Sequence, residues 1–210
     1  MIIKVCGMRE PQNIREVAAL AINWIGFIFY ERSKRFVERC PTEQQVTDSE
    51  QLSPKKVGVF VNATIESMME KASAYKLDYL QLHGNESPED CHTLQKRGYS
   101  LIKAFPIATK EDFEKTREYE GRVDYFDTRC EGYGGSGKRF DWSILTEYKG
   151  ETPFLLGGGI RPENAEAIRN FRHPRLAGID LNSGFEIEPG LKDVDKLKNF
   201  IQQILHPAVE

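Results

Sequence analysis

Two side chains at the ends of apolar runs could act as a base and an acid. Cys6 closes the first such run, in KVCGM, and Asp127 follows VDYF, where another apolar residue would continue the pattern. A thiolate can remove a proton and a carboxylic acid can supply one, so the two residues together indicate general acid–base catalysis. Each also has a structural alternative, because free cysteine is common in protein cores and a buried carboxylate can be held by a partner.

Two glycine-rich stretches predict a phosphate site. LLGGGIRPENA contains Gly157 to Gly159, and GIDLNSGFE contains Asn182, Ser183 and Gly184. Glycine lets backbone N–H groups approach an anion closely, and a helix that begins near Ser183 would direct its positive end toward that anion. Glycines are also common in tight turns, so neither stretch is specific alone. Together, after the seventh and eighth strands of a barrel, they favour phosphate binding.

Two basic stretches need separate interpretations. In ERSKRFV, the guanidinium of Arg35 can bind a substrate carboxylate through two hydrogen bonds, although a solvated basic turn explains the same residues. The stretch GYGGSGKR fits GxxxxGK, but Arg139 stands where a Walker loop has the Ser or Thr that binds Mg²⁺. A Walker loop also follows its strand directly and opens a long helix. The sequence therefore does not favour nucleotide hydrolysis.

Eight β-rich runs can position these residues: IIKVC, WIGFIF, KVGVFV, YLQLH, SLIKAF, VDYFDT, PFLLGG and LAGIDLN. Each is followed by a stretch with helical marks. In SPEDCHTLQKRG, for example, Ser87 is a predicted N-cap and Pro88 the first helical residue. The runs are apolar on both faces, which is typical of parallel strands covered by helices.

This alternation predicts a single (β/α)8 TIM barrel domain over residues 1–210. Eight units of about 25 residues each fill the chain, which favours a closed barrel over an open doubly wound sheet. Two connections are longer than a βα turn needs: YERSKRFVERCP and TRCEGYGGSGKRF. Both would lie at the carboxyl ends of the strands, where barrels bind ligands.

Composition narrows the class of protein. With 210 residues, 40% of them hydrophobic, the chain can bury one hydrophobic core. Its net charge of −3 does not favour binding to nucleic acids or to membrane surfaces, which proteins with a basic surface bind. No run reaches the roughly 18 apolar residues of a membrane span, so we expect a cytoplasmic protein with small-molecule partners. Neither the cysteines nor the histidines have metal-site spacing, and we expect no disulfide framework.

Eight motifs, in order over nearly the whole chain, resemble those of the phosphoribosylanthranilate isomerase family: KVCGM, GFIFYERSKRFV, VGVFVN, LQLHGNE, YFDT, GGSGKRFDW, LLGGGIRPENA and GIDLNSGFE with PGLKD. The resemblance implies a TIM barrel of L-tryptophan biosynthesis. Its reaction would be the Amadori rearrangement of N-(5-phosphoribosyl)anthranilate to 1-(2-carboxyphenylamino)-1-deoxyribulose 5-phosphate. No cofactor or metal is expected, and the phosphorylated substrate would be bound by a monomer or a homodimer.

The resemblance also assigns roles to residues of this chain. Cys6 would be the general base, Asp127 the general acid and Arg35 the residue that binds the anthranilate carboxylate. The phosphate loops fall on Gly158, Gly159, Ser183 and Gly184, and further pocket residues on Asp180, Gln81 and His83. Two positions depart from the family pattern: Lys34 replaces a frequent proline, and Leu156 replaces a small residue.

Reference pKa values show what such a site must change. Near neutral pH a free thiol is only a few per cent thiolate, and roughly 0.1% of free aspartate is protonated. We therefore expect Asp127 to lie in an apolar, partly dry pocket that raises its pKa.

Two other kinds of barrel remain as alternatives. A different phosphosugar enzyme, such as an indoleglycerol-phosphate synthase or a ribulose-phosphate epimerase, would use other residues, for which Lys103 and His83 are isolated candidates. A catalytically silent barrel that only binds a phosphorylated ligand would need no acid–base pair.

Overall fold

The computed structural model describes residues 1–37, 53–129 and 142–206. Within these ranges, eight parallel strands close into a barrel in the order β1-β2-β3-β4-β5-β6-β7-β8. Their bounds are β1 Ile2–Val5, β2 Trp24–Phe29, β3 Lys55–Phe60, β4 Tyr79–Leu82, β5 Ser100–Pro106, β6 Tyr125–Arg129, β7 Phe154–Gly157 and β8 Leu176–Leu181. The predicted closed barrel is confirmed, and the open sheet is excluded because β1 pairs with β8. The domain bounds 1–210 stay a prediction.

Helices cover the outside of the barrel. The described α-helices are α1 Pro11–Ala18, α2 Ile65–Tyr75, α3 Pro88–Lys96, α4 Ala165–Asn170 and α5 Val194–Leu205. The helical stretch predicted after β2, at 42–52, lies outside the described residues, as does most of the loop after β6 with its GxxxxGK stretch. No helix in the described ranges has both the length and the apolar character that a membrane span needs.

Two helices show how the sequence fixes their ends and faces. Ser87 accepts a hydrogen bond from the backbone N–H of Asp90, whose carboxylate accepts one from the N–H of Ser87. The predicted N-cap and first-turn proline of α3 are thus confirmed, and the two bonds together form a capping box. In α5, the buried residues recur at helical spacing and face the core: Leu197, Phe200, Ile201 and Ile204.

The segment Lys110–Tyr119 between β5 and β6 is a 3-10 helix. Phe113, Thr116 and Tyr119 pack inward and recur every three residues, which matches three residues per turn. A second 3-10 helix, Trp142–Glu147, precedes β7, and a third, Pro162–Asn164, precedes α4. The helices predicted in these stretches are therefore present, but these three segments are of the 3-10 type.

A short hairpin after β8 is absent from the sequence predictions. A three-residue 3-10 turn, Ser183–Phe185, leads into β9 Glu186–Glu188, which pairs with β10 Leu191–Lys192. The side chain of Asn13 in α1 accepts from the backbone N–H of Lys192 at 2.7 Å and donates to its carbonyl at 2.9 Å. These bonds fix the hairpin over the mouth of the barrel.

Inside the barrel, an apolar layer lies beneath a polar one. Trp24, Val57, Ile102 and Leu155 form a separate core cluster, against which Ile2, Tyr79 and Tyr125 pack. Side chains two residues apart on a strand point the same way, so Lys4, Gln81 and Asp127 form the next layer toward the carboxyl ends. All three of these polar residues are buried.

Candidate active site

A cavity of about 630 Å³ lies at the carboxyl ends of the strands. It is lined by Cys6, Ile28, Tyr30, Ser33, Arg35, Val59, Val61, Gln81, His83, Asp127, Gly158, Gly159, Ile160, Asp180, Asn182 and Ser183. Nine of the ten residues that the sequence predicts for the site therefore meet in one cavity. This face of a barrel is where parallel strands present their catalytic residues.

Cys6 lies one residue beyond β1, on the floor of the cavity. Its backbone N–H donates to the carbonyl of Leu181 at 2.8 Å, which continues the β1–β8 pairing and fixes the thiol. A side chain at Gly26 would place a Cβ 2.8 Å from the sulfur, so glycine at that position makes room for Cys6. Burial raises the pKa of Cys6 to about 11, against the lowering effect of the nearby Lys4 ammonium.

Asp127 lies inside β6, two residues before its last residue, and is 3% exposed. Its Oδ2 accepts a hydrogen bond of 2.7 Å from Gln81 Nε2. A Cβ at Gly157 would lie 2.5 Å from Asp127 Oδ1, so that glycine provides the space for the carboxyl group. The expected burial of Asp127 is therefore confirmed, but the expected apolar surroundings are not, because the carboxyl group has polar neighbours. The raised pKa of Asp127 stays a prediction.

Arg35 reaches the cavity from the turn after β2, with its guanidinium on Glu186 of β9. Nε donates to Oε1 at 2.7 Å and Nη2 to Oε2 at 2.5 Å. Gly7, with φ +76°, admits this side chain, since a Cβ there would lie 2.7 Å from Arg35 Cδ. The hydrogen bond to Glu186 raises the pKa of Arg35. Burial raises the pKa of Glu186, but Arg35 and Lys192 outweigh it and the net pKa is lowered.

The two predicted phosphate loops lie side by side at the cavity wall. Gly158 and Gly159 have φ of +77° and +71°, which L side chains rarely adopt, and both line the cavity together with Ser183. Gly184 does not line it: a Cβ there would collide with the carbonyl of Ile160, so this glycine lets the two loops approach each other. Its predicted contact with phosphate stays a prediction.

The remaining predicted residues form the cavity floor. Asp180 Oδ2 accepts from Lys4 Nζ at 2.6 Å, and Gln81 Oε1 accepts from the same ammonium at 2.5 Å. His83, two residues beyond Gln81, has its Nδ1 3.4 Å from Gln81 Nε2. Asp180, Gln81 and His83 thus line the cavity, and the first two contact a lysine that the resemblance does not mention.

A family model described as N-(5'-phosphoribosyl)anthranilate (PRA) isomerase matches residues 3–203. The chain belongs to this family. The predicted family, the isomerase class and the place in tryptophan biosynthesis are thereby confirmed.

Known relatives agree with this membership over nearly their full lengths. The N-(5'-phosphoribosyl)anthranilate isomerase of Parabacteroides distasonis is 96% identical, covering 100% of this chain and 96% of its own. The crystal structure of phosphoribosyl anthranilate isomerase from Thermotoga maritima has a TM-score of 0.81 at 32% identity, covering 97% of this chain and 98% of that chain. Another structure of such an isomerase, in complex with reduced 1-(o-carboxyphenylamino)-1-deoxyribulose 5-phosphate, has a TM-score of 0.80 at 28% identity. The match covers 97% of this chain and 98% of that chain.

Sequence reasoning missed three polar residues of the isomerase site. Lys4 and Lys192 are fully buried cations, and Glu186 binds Arg35. Asn182, which belongs to the second predicted phosphate stretch, accepts from Lys192 Nζ at 2.8 Å. Lys4 could have been found, since a lysine two residues before Cys6 interrupts an otherwise apolar strand on the same face. Glu186 and Lys192 carry no comparable signal, because their positions depend on the hairpin after β8.

Proposed function

We propose that this chain converts N-(5-phosphoribosyl)anthranilate to 1-(2-carboxyphenylamino)-1-deoxyribulose 5-phosphate, with Asp127 as general acid and Cys6 as general base. The supporting observation is that both groups line one cavity together with Arg35 and the paired glycine loops. A sugar ring bound between the loops and Arg35 would have the thiol and the carboxyl within one enclosed space. No cofactor is needed, because every step is a proton transfer.

The reaction is a balanced sequence of proton transfers. Asp127 protonates the ring oxygen as the C1–O bond breaks, which leaves an iminium between C1 and the anthranilate nitrogen. Cys6 then removes the proton from C2, and the electrons of that bond form the C1=C2 bond and neutralise the nitrogen. The resulting enol-amine gives its O2 proton to the Asp127 carboxylate and takes a proton at C1 from the Cys6 thiol, which yields the ketone and restores both groups. Substrate and product are isomers, as the family requires.

The order of these steps explains how a thiol with a raised pKa can act as a base. With a pKa of about 11, only about one Cys6 in 10⁴ is thiolate near neutral pH in the free protein. Ring opening creates a positive charge on the substrate, and an adjacent positive charge favours the thiolate. The acid step therefore prepares the base step, which requires Asp127 and Cys6 to face the same substrate.

The two ends of the substrate match two walls of the cavity. The glycine loops around Gly158, Gly159 and Ser183 present backbone N–H groups suited to the 5-phosphate. Arg35 is suited to the anthranilate carboxylate because its guanidinium already binds the Glu186 carboxylate in forked geometry. A monomeric or homodimeric state and a cytoplasmic location belong to this proposal as predictions.

The alternatives have less support from the described residues. Lys103, the candidate for an indoleglycerol-phosphate synthase, forms a buried ion pair of 3.3 Å with Glu86 and donates to the carbonyl of Gly84 at 2.7 Å. These contacts support the loop after β4. A silent binding barrel gives no reason for Gly26 and Gly157 to leave space for Cys6 and Asp127.

Anthranilate fluorescence tests the proposal directly. Purified protein mixed with a large excess of freshly made phosphoribosylanthranilate should change the emission of all of the substrate, whereas a silent barrel would change it only in proportion to the protein. Cys6→Ser and Asp127→Asn should each lower turnover by about 10² to 10⁴. Cys91→Ala is the matched control, because Cys91 is also a free buried cysteine but lies in α3. A fully active Cys6→Ser variant would overturn the assignment of the base.

A further inference from the structure

The ammonium of Lys4 lies directly beneath the cavity floor, where it has no assigned role. Its side chain is 0% exposed, and its Nζ contacts Asp180 Oδ2 and Gln81 Oε1. A buried cation is costly unless it is paired, and an apolar side chain would fill the same place without that cost. Cys6 follows two residues later on the same side of the chain. The position therefore suggests a function for the charge itself.

Lys4 is linked to Asp127 through the amide of Gln81. An ammonium can only donate hydrogen bonds, so Gln81 must turn its Oε1 toward Lys4 and its Nε2 away from it. Nε2 then donates to Asp127 Oδ2 at 2.7 Å. Because Oδ2 accepts this bond, the chain of contacts from Lys4 through Gln81 fixes the orientation of the Asp127 carboxyl group.

Lys4 also acts on Cys6 through its charge. The charged and titratable groups that face the thiol come from β1, β6, β8, β10 and the turn after β2: Lys4, Asp127, Asp180, Lys192 and Arg35. Of the neighbours that act on the pKa of Cys6, Lys4 has the largest effect and lowers it. Burial lowers the pKa of Lys4 itself, but Asp180, Cys6 and Asp127 outweigh burial and raise it, so Lys4 stays protonated.

We infer that Lys4 is a positioning residue for the reaction: its buried ammonium stabilises the Cys6 thiolate and, through Gln81, orients the Asp127 carboxyl. The catalytic part of this inference rests on the proposed function. Lys4 acts only through its neighbours and does not touch the substrate. Removing its charge should consequently reduce kcat and leave KM nearly unchanged.

The reactivity of Cys6 separates an effect of charge from an effect of shape. Lys4→Met keeps an unbranched side chain of similar length without charge, whereas Lys4→Arg keeps the charge but changes the shape. Alkylation by iodoacetamide at about pH 8, followed for each cysteine peptide by mass spectrometry, reports the thiolate fraction, because a tenfold change in rate corresponds to one pKa unit. Lys4→Met should slow Cys6 alkylation by about tenfold or more, and Lys4→Arg by less than about threefold. Cys91 serves as the internal control and should react at an unchanged rate.

Equal alkylation rates in Lys4→Met and the unmodified protein would overturn the inference, and so would a slower rate in Lys4→Arg than in Lys4→Met. If Lys4→Met does not fold, Lys4→Gln replaces it, because an amide can still donate to Asp180 without charge. Phosphoribosylanthranilate turnover by the unmodified protein is measured beside these rates. Charge-dependent alkylation without any turnover would refute the proposed function and leave the electrostatic effect of Lys4 established.

Discussion

The guanidinium of Arg35 forms two hydrogen bonds with the carboxylate of Glu186, of 2.7 and 2.5 Å. Glu186 also accepts from Lys192 Nζ at 2.6 Å, so one carboxylate joins two cations at the mouth of the barrel. Arg35 has five N–H donors, and Glu186 occupies only one side of the guanidinium. The pair therefore fixes the orientation of Arg35 and leaves further donors for a substrate carboxylate.

Replacing Arg35 with lysine should weaken substrate binding with little change in kcat. Lysine keeps the charge but cannot form forked hydrogen bonds with Glu186 and bind a second carboxylate in a fixed orientation. We expect KM for phosphoribosylanthranilate to rise by about tenfold or more, corresponding to the loss of one charge-assisted hydrogen bond. Steady-state fluorescence kinetics measure this. An unchanged KM would mean that Arg35 serves only to bind Glu186.

Glu186 should contribute stability that depends on pH. Its folded pKa is lowered, so its stabilising effect is fully present above the unfolded pKa of about 4.3 and is lost as pH falls through the folded value. Glu186→Gln should reduce the free energy of unfolding by about 2 to 4 kcal/mol near neutral pH, because two cations lose their anion. Urea unfolding should show a smaller difference near pH 3. A difference that does not change with pH would exclude this ion cluster as the cause.

Gly157 should be required for activity because of the space it leaves. In Gly157→Ala, the new Cβ would lie 2.5 Å from Asp127 Oδ1, so the carboxyl group must move. Displacement of a catalytic group by about an ångström can reduce the rate about 10²-fold. Gly121→Ala is the control: its φ of +72° makes alanine strained, but nothing lies within 4 Å of the added Cβ. The control should lose about 1 to 2 kcal/mol of stability and keep its kcat. Equal kcat values in both variants would argue against this role.

The features that could be predicted from the sequence are those that depend on local residue patterns. Each strand could be found because parallel strands are apolar on both faces, and Cys6 stood out because it ends such a strand. The hairpin after β8 was not predicted, although residues 185–188 alternate between apolar and polar and Pro189-Gly190 is a typical turn. Its two strands have only three and two residues, and its position depends on Asn13, far away in the sequence. The polar surroundings of Asp127 were missed for a related reason. Gln81 and Lys4 come from other strands, and only the closure of the barrel brings them together.

Lys103 should be needed for stability rather than for chemistry. It forms a buried ion pair with Glu86, whose carboxylate also accepts from the backbone N–H groups of Asn62 and Gly84. Lys103→Met leaves that carboxylate buried without its cation, which should cost about 3 to 5 kcal/mol of unfolding free energy. The exposed Lys198→Met is the control and should change stability very little. If Lys103→Met instead kept its stability and abolished turnover, Lys103 would take part in the reaction itself.

The pH dependence of kcat/KM should be a broad plateau whose alkaline limit lies at strongly alkaline pH. The thiolate fraction of Cys6 rises tenfold per pH unit below its pKa of about 11, while the protonated fraction of Asp127 falls tenfold per unit above its own pKa. The product of the two fractions is therefore constant between the two pKa values. Measured kcat/KM should be level from about pH 7 to about pH 9, where a reference thiol of pKa about 8.5 would cause a bend. A bend in that range would show that the Cys6 thiol ionises far more readily than its burial implies. Repeating the profile with Lys4→Arg, in which the charge is kept, should give the same plateau.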